Sequence, residues 1–280
     1  MDKASADLCD CQANGPHSLV FREDLYHGVI VDAASLPPAP TCFAAALAAS
    51  LAAWRAAGTR GVWLPVPIGK SALIPLAVAC GFFFHHAEAA HLMLAHWLDE
   101  STPSRLPQQP STNIGVGAFL LNPAGELLVV QEKSGPAARA GFWKVPTGLV
   151  DAGEAIAAAV EREVLEETGV RADFEGIVGF RQAHGLAFGK DDLFFLCALR
   201  LRDAGEAARE LAPQESEIAA ARWMPLAEFE AMPHVSDAGT VWGHLHQLCV
   251  QASAGTRGLI TPRLLPLGLR PGSQVVYAAH

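Results

Sequence analysis

The feature that most constrains this chain is a run of acidic residues at the end of one short predicted helix. Residues 154–168 carry a helical apolar period, and Gly169 follows as a helix terminator. At about 100° per residue, Glu163 and Glu167 lie within about 40° of each other, and Glu166 lies roughly 60° from Glu163. The spacing therefore predicts three carboxylates crowded at one end of a single helix face.

Crowding these carboxylates is unfavourable unless a cation is present. Like charges at these spacings destabilise a helix by roughly 0.2–0.5 kcal/mol per pair, and the helix dipole disfavours negative charge in the last turns. Clustered oxygen ligands are the donors that Mg²⁺ and Mn²⁺ take in proteins. The run of glutamates therefore predicts a site for Mg²⁺ or Mn²⁺.

The net charge narrows the range of ligands. The chain carries a formal charge of −9 at pH 7, which argues against broad binding to nucleic acid or to anionic membranes. A polyanionic substrate would also be repelled unless a cation intervened, and the predicted metal would let an acidic protein hold a diphosphate. We therefore expect a small-molecule nucleotide as the partner and no membrane, with nucleic acid disfavoured as a partner.

The same segment predicts how the helix is anchored. Ile156, Val160 and Val164 recur every fourth residue and form the predicted buried stripe. Arg162 is one turn before the last glutamates, so it is expected to orient a carboxylate. Gly148 permits a tight approach of the chain that leads into the helix.

Composition divides the chain into segments. With 51% hydrophobic residues in 280, one large or two modest domains are expected. Prolines with Ser, Thr and Gln predict an exposed linker at 101–113. The linker separates a small α/β domain at 25–100 from a second domain at 114–251. Residues 1–24 and 252–280 are expected to be terminal tails.

Periodicity and turn residues predict the elements of each domain. In the first domain, strands are expected at 28–31, at 62–65 and twice within 82–98, with helices at 42–57 and 71–79. In the second, strands are expected at 114–121, 126–131, 142–145, 177–183, 192–202 and 219–223, with helices at 154–168 and 226–231. No secretory leader or bilayer-spanning run is visible, so a soluble, cytoplasmic protein is expected.

The acidic helix carries a motif as well as a charge pattern. Residues 148–170 follow G-x5-E-x7-R-E-hydrophobic-x-E-E-x-G-hydrophobic at every specified position, and the segment resembles the Nudix box. The likeness continues through 142–148 and 180–184, and it covers roughly residues 25–250. These segments are similar to the plant-type Nudix hydrolases, with animal relatives, that carry an additional N-terminal domain. Thr147 departs from the pattern, because many members have a second glycine there.

The resemblance implies a fold, a reaction and a set of ligands. It implies a Nudix α/β/α sandwich preceded by a small acetyltransferase-like α/β domain, in the mixed α/β (α+β) class. The usual substrates of this subgroup are ADP-ribose and NADH, cleaved at the diphosphate to give AMP and a phosphorylated remainder. Carried onto this sequence, Glu163, Glu166 and Glu167 become metal ligands together with the carbonyl of Gly148.

Further residues receive roles from the same resemblance. One carboxylate must accept the proton of the attacking water, and Glu166 or Glu217 could do so. With Arg162 and Glu163 these two complete the predicted catalytic group. Four residues are predicted to contact the substrate. Arg181 could pair with a phosphate or form a surface ion pair, and His184 could contact the nucleotide or be a loop residue. Trp143 and Phe180 could stack a base or pack in the core.

Other functions stay open at this stage. Oxidised nucleotides, dinucleoside polyphosphates or capped RNA could replace ADP-ribose and NADH as substrates. A nucleotide-sensing regulatory protein on a Nudix scaffold is a second class, although no box glutamate is missing. Acetyl transfer by the first domain would need a glycine-rich pyrophosphate loop, and residues 67–71 contain only Gly69. We therefore expect that domain to serve packing or dimerisation, as in a homodimer.

Overall fold

The computed structural model describes residues 18–266 and 273–279, so most of the predicted N-terminal tail and part of the predicted C-terminal one lie outside the described residues. The chain divides into two compact units, residues 1–110 and 111–280. The break between them falls inside the segment with linker composition.

In its described residues, from 18 onward, the first unit has five strands: Phe21–Glu23 (β1), Val29–Val31 (β2), Gly61–Pro67 (β3), Phe83–Ala87 (β4) and His91–Trp97 (β5). They form one sheet in the order β1-β2-β3-β5-β4, in which only β2 and β3 are parallel. The helices are Pro40–Ala56 (α1) and Ile74–Ala79 (α2), with 3-10 helices at Ala33–Ser35 and Ile68–Leu73. The unit is α/β as predicted, and its acetyltransferase-like character stays a prediction.

Two expectations for the first unit need correction. Residues 18–24 are part of the fold, because Leu19 is buried and its amide donates to Ser50 Oγ at 2.8 Å. The helix expected at 71–79 is split into a 3-10 segment and α2. Pro75 stands at the second position of α2, where a proline without an N–H is tolerated, so the regular helix begins only there.

The second unit has eight strands and four helices in the described part of the chain. The strands are Thr112–Leu120 (β6), Glu126–Glu132 (β7), Thr147–Leu149 (β8), Ala172–Ala183 (β9), Asp191–Leu201 (β10), Ile218–Pro225 (β11), Ile260–Pro266 (β12) and Ser273–Ala279 (β13). The α-helices are Gly135–Ala140 (α3), Ile156–Thr168 (α4), Leu226–Glu230 (α5) and Val241–Ser253 (α6), with 3-10 helices at Ala187–Gly189 and Ala204–Ala208.

The strands of this unit form a sheet with a helix on each face. Six strands follow the order β13-β12-β9-β10-β6-β8, and β11 pairs separately with β7. Alternate residues of β10 face opposite sides: Cys197 packs in a cluster with Val164 of α4, and Leu196 packs in a cluster with Leu245 of α6. The predicted α/β/α sandwich is therefore confirmed.

The strand expected at 142–145 is misplaced. Only Lys144 forms an isolated bridge there, with Val130, and the strand proper is β8, which begins after Pro146 and pairs with β6 through Thr147 and Gly117. Aromatic and β-branched residues favour a strand by propensity. Pairing with β6 instead selects the residues that follow the proline.

The C-terminal segment is not a tail where it is described. Residues of α6 and of the β12–β13 hairpin occupy much of 252–280, and Ile260 of β12 pairs with Ile177 of β9. Tyr277 packs against the cluster on the α4 face. Glycine and proline suggested an irregular tail, whereas the order of this segment depends on pairing with strands about eighty residues away in the chain.

Candidate active site

Strand β8 lies directly against the acidic helix α4. Gly148 is the point of closest approach, since a Cβ placed there would lie 1.9 Å from the carboxyl carbon of Glu163. A side chain at this position would displace the Glu163 carboxyl, so glycine lets that carboxylate lie against the strand. The local spacing of the motif thus brings a backbone segment and a carboxylate together.

Arg162 organises the exposed side of this helix by using every donor that it has. Its Nε and Nη2 donate to the two carboxyl oxygens of Glu154, each at 2.9 Å, and Nη2 also donates to the carbonyl of Leu149 at 3.0 Å. Its Nη1 donates to Glu163 at 2.8 Å and to Glu166 at 3.1 Å. A guanidinium has five N–H donors, and all five are bonded within the protein.

The hydrogen bonds and burial around Arg162 change the pKa values of the groups that they join. Hydrogen bonds from Arg162 and from the amide of Asp151 lower the pKa of Glu154 to about 2, and the same carboxylates raise the pKa of Arg162. The pKa of Glu163 is raised, because burial outweighs the nearby guanidinium. The arginine therefore ties three carboxylates to one edge of β8.

Glu167 occupies the buried side of the cluster. Glu167 is only 4% exposed, and one of its carboxyl oxygens accepts the amide N–H of Thr147 at 3.1 Å. Burial raises its pKa to about 7, against the opposing charge of Lys144. A carboxyl group with such a pKa loses its proton readily when a cation binds beside it.

Two site residues went unrecognised in the sequence. Lys144 Nζ contacts Glu132 Oε1 at 2.5 Å and Thr147 Oγ1 at 2.5 Å, which links the end of β7 to β8. Glu132 also raises the pKa of Glu167 through its charge. The motif spacing carries no signal for Glu132, because this residue lies on β7, outside the motif, and meets Lys144 only in the folded structure.

The donor set fits a hard divalent cation. Carboxylates of Glu163, Glu166 and Glu167 and the backbone of Gly148 supply oxygen donors only, as Mg²⁺ and Mn²⁺ prefer. Glu217 lies close enough for its charge to raise the pKa of Glu163. Among residues 18–266 and 273–279, however, no three acidic, histidine or cysteine side chains already converge on one point.

An apolar cavity of about 220 Å³ opens beside this cluster on the α6 face of the sheet. Its walls include Phe119, Phe142, Leu196, Trp242 and Leu245. Lys144 and Thr147 line the same cavity, so the cavity and the carboxylates share a boundary at β8. We call this cavity, with these seven lining residues, the apolar pocket.

With this geometry in view, the comparisons with known proteins decide the family. Residues 19–98 match a family model described as a Nudix hydrolase domain, and residues 111–241 match one described as a NUDIX domain. Nudix hydrolase 2 of Arabidopsis thaliana is 43% identical over 215 residues, which are 77% of this chain and 75% of the relative. The chain belongs to the Nudix hydrolase family.

Other relatives of this Nudix hydrolase are longer or more distant. Nudix hydrolase 8 of Arabidopsis thaliana is 47% identical over 214 residues, 76% of this chain, but the chain spans only 56% of that relative. The solved structure of the MutT protein from Methanosarcina mazei Go1 has a TM-score of 0.40 at 20% identity, covering 54% of this chain and 99% of that one. The predicted enzyme class, a Nudix hydrolase, is therefore confirmed. No helix in the described ranges is long and apolar enough to cross a membrane.

Two of the predicted substrate residues of this Nudix hydrolase are already engaged within the protein. Arg181 pairs with Asp192 at 3.1 Å, and its guanidinium lies 5.3 Å from the Phe194 ring and 5.2 Å from the Trp242 ring. The Trp143 ring lies 4.8 Å from the guanidinium of Arg222. Through Trp242, Arg181 borders the apolar pocket, whereas the ring of Trp143 is covered.

The remaining two predicted substrate residues are exposed and lie away from the pocket wall. Phe180 is 57% exposed and its ring lies 5.4 Å from that of Phe195, on the α4 face. His184 is 71% exposed and its Nδ1 lies 2.9 Å from Asp191. The four residues are therefore distributed over both faces of the sheet, and only Arg181 and Trp143 contact residues that line the cavity.

Proposed function

We propose that the chain hydrolyses the diphosphate of a nucleoside diphosphate linked to another moiety, with ADP-ribose and NADH as the first candidates. The products would be AMP and a phosphorylated remainder. The observation that supports this proposal is the shared boundary at β8, where an apolar pocket for an aromatic group adjoins an all-oxygen carboxylate cluster for a metal–diphosphate.

The proposed roles follow from the contacts. Glu163, Glu166 and Glu167, with the carbonyl of Gly148, would hold Mg²⁺ or Mn²⁺. When bound, such a cation would neutralise diphosphate charge and lower the pKa of a water molecule. Arg162 acts as a positioning residue, because its donors are all used on carboxylates and Leu149.

The proton from the attacking water would pass to Glu166 or Glu217. The side chain of Glu166 is 47% exposed and bonded at one oxygen to Arg162, which leaves the other oxygen for a proton. Glu217 precedes β11, and its carbonyl is fixed by the amide of Lys133 at 2.8 Å. Both glutamates stay candidates for the general base.

The test is product analysis with Mg²⁺ or Mn²⁺ and, separately, ADP-ribose, NADH, NAD⁺, 8-oxo-dGTP and a diadenosine polyphosphate. We expect AMP from ADP-ribose or NADH, and no product with EDTA or with Glu166→Gln. Cleavage of 8-oxo-dGTP or of the diadenosine compound alone would replace the substrate class. Nucleotide binding by calorimetry without any turnover would favour a nucleotide sensor. Homodimer formation and cytoplasmic location stay predictions, to be checked by sedimentation and by imaging.

A further inference from the structure

Arg162 and Lys144 both act on the carboxylate cluster, Arg162 through hydrogen bonds and Lys144 through its charge on Glu167, and they differ in how many of their donors are bonded to the protein. All five N–H groups of Arg162 are bonded to protein oxygens. The ammonium of Lys144 has three donors, and its acceptors among the described residues are Glu132 Oε1 and Thr147 Oγ1. One donor of Lys144 is therefore left for a further acceptor.

The position of Lys144 shows where that acceptor would come from. Lys144 and Thr147 line the apolar pocket, whose other walls are mainly aromatic and aliphatic. On the opposite side, the amide of Thr147 holds Glu167. The ammonium thus lies at the junction between an apolar ligand pocket and the carboxylate cluster. In the part of the chain that the structure describes, Lys144 is the only Lys or Arg that lines this pocket.

We propose that Lys144 binds a phosphate oxygen of the substrate, on the pocket side of the bond that is broken. The inference rests on the proposed function, since it assigns a residue to the diphosphate of that substrate. Glu132 and Thr147 hold the ammonium in place before the substrate binds, so little side-chain entropy is lost on binding. A charge-assisted bond of this kind fixes how the diphosphate crosses the carboxylate cluster.

The test is steady-state kinetics of Lys144→Met with the nucleotide that the wild-type chain cleaves. A bond made equally in the ground and transition states raises KM and leaves kcat nearly unchanged. We expect KM to rise about ten- to a hundredfold, with kcat within about threefold. Lys144→Arg should recover most of the loss. The matched control is Arg139→Met, which removes an exposed cation of α3 and should leave KM unchanged.

Each alternative outcome overturns the inference separately from the proposed function. An unchanged KM, or a fall in kcat alone, would mean that Lys144 serves only the carboxylate cluster. If Lys144→Met lowers the melting temperature strongly, Thr147→Val is tested in its place, because this variant removes one group that holds the ammonium. For Thr147→Val we expect KM to rise about threefold or more. If the wild-type chain cleaves nothing, the proposed function fails. The same variants are then compared by their Kd for ADP-ribose, and an unchanged Kd or an absence of binding overturns the inference.

Discussion

The carboxylate cluster and the apolar pocket meet at Thr147, yet they are built in opposite ways. The cluster comes from one short stretch of chain, residues 148–167, and Arg162 joins three of its four carboxylates, those of Glu154, Glu163 and Glu166. The pocket collects side chains from strands and helices that are far apart in sequence, and its walls need few polar bonds. Partly buried charges are costly unless paired, whereas an apolar wall requires only shape. The cluster should therefore control the rate of hydrolysis, and the pocket should control binding.

The largest effect is expected from the cluster itself. Glu166→Gln should lower kcat by about 10²–10⁴-fold, the range for loss of a general base or of a charged ligand. Stability should change little, because the side chain is 47% exposed. Initial rates and a thermal melt measure the two quantities. Glu175→Gln, at a 44% exposed position on β9, is the matched control.

The parallel variant Glu217→Gln separates the two candidate bases. A loss comparable to that of Glu166→Gln, with metal affinity unchanged, would assign the proton to Glu217. A loss below about tenfold would leave Glu166 as the base, since removing a general base costs at least about a hundredfold.

The second effect concerns the approach of β8 to α4. Gly148→Ala places a Cβ against the carboxyl of Glu163, so this carboxyl must leave its position beside β8. We expect a fall in kcat of at least about tenfold and a loss of roughly 1–3 kcal/mol in the free energy of unfolding. Gly69→Ala is the control, because no atom lies within 4 Å of a Cβ built there. Equal behaviour of the two variants would show that the approach is not required.

Substitutions in the apolar pocket should change KM, whereas those in the carboxylate cluster should change kcat. Trp242→Ala removes a wall of the apolar pocket, and we expect KM to rise about tenfold, the equivalent of one stacking contact, with kcat little changed. Phe188→Ala removes a fully exposed ring and should have no effect. A Trp242→Ala protein that loses kcat instead would contradict the division of labour between the two regions.

The smallest effect is a pH dependence of stability on the α6 side. Burial lowers the pKa of His246, although Glu230 at 3.3 Å opposes the shift. Below the unfolded value of about 6.5 the unfolded chain binds a proton that the folded chain refuses. Stability should therefore fall as pH drops from about 6.5 toward the folded pKa, and it should be flat above.

Chemical denaturation at pH 7.5 and pH 5.5 measures how the free energy of unfolding depends on the protonation of His246. The wild-type chain should lose more stability between the two values than His246→Gln. His244→Gln, at an exposed position of the same helix, should behave as the wild type does. A difference between wild type and His246→Gln that stays constant with pH would contradict the prediction.

Much of the fold could be predicted because its elements carry local periodicity. The helix expected at 154–168 is α4, Ile156–Thr168, and the strands expected at 114–121 and 192–202 correspond to β6 and β10. Helix α6 was missed although Thr240 caps it through the amide of Gly243. The strand near Pro146 was misplaced, because pairing with β6 overrode local propensity.

By itself, the sequence determined the acidic face of α4, the glycine at its closest approach and the family, because a helical period places residues 163–167 without help from the rest of the fold. Tertiary structure alone decided that Lys144 and Glu132 join this site, that Arg181 pairs with Asp192, and that an apolar pocket adjoins Thr147. These contacts depend on which strands become neighbours in a sheet. Strand order is set by pairing between distant segments, which no local spacing encodes.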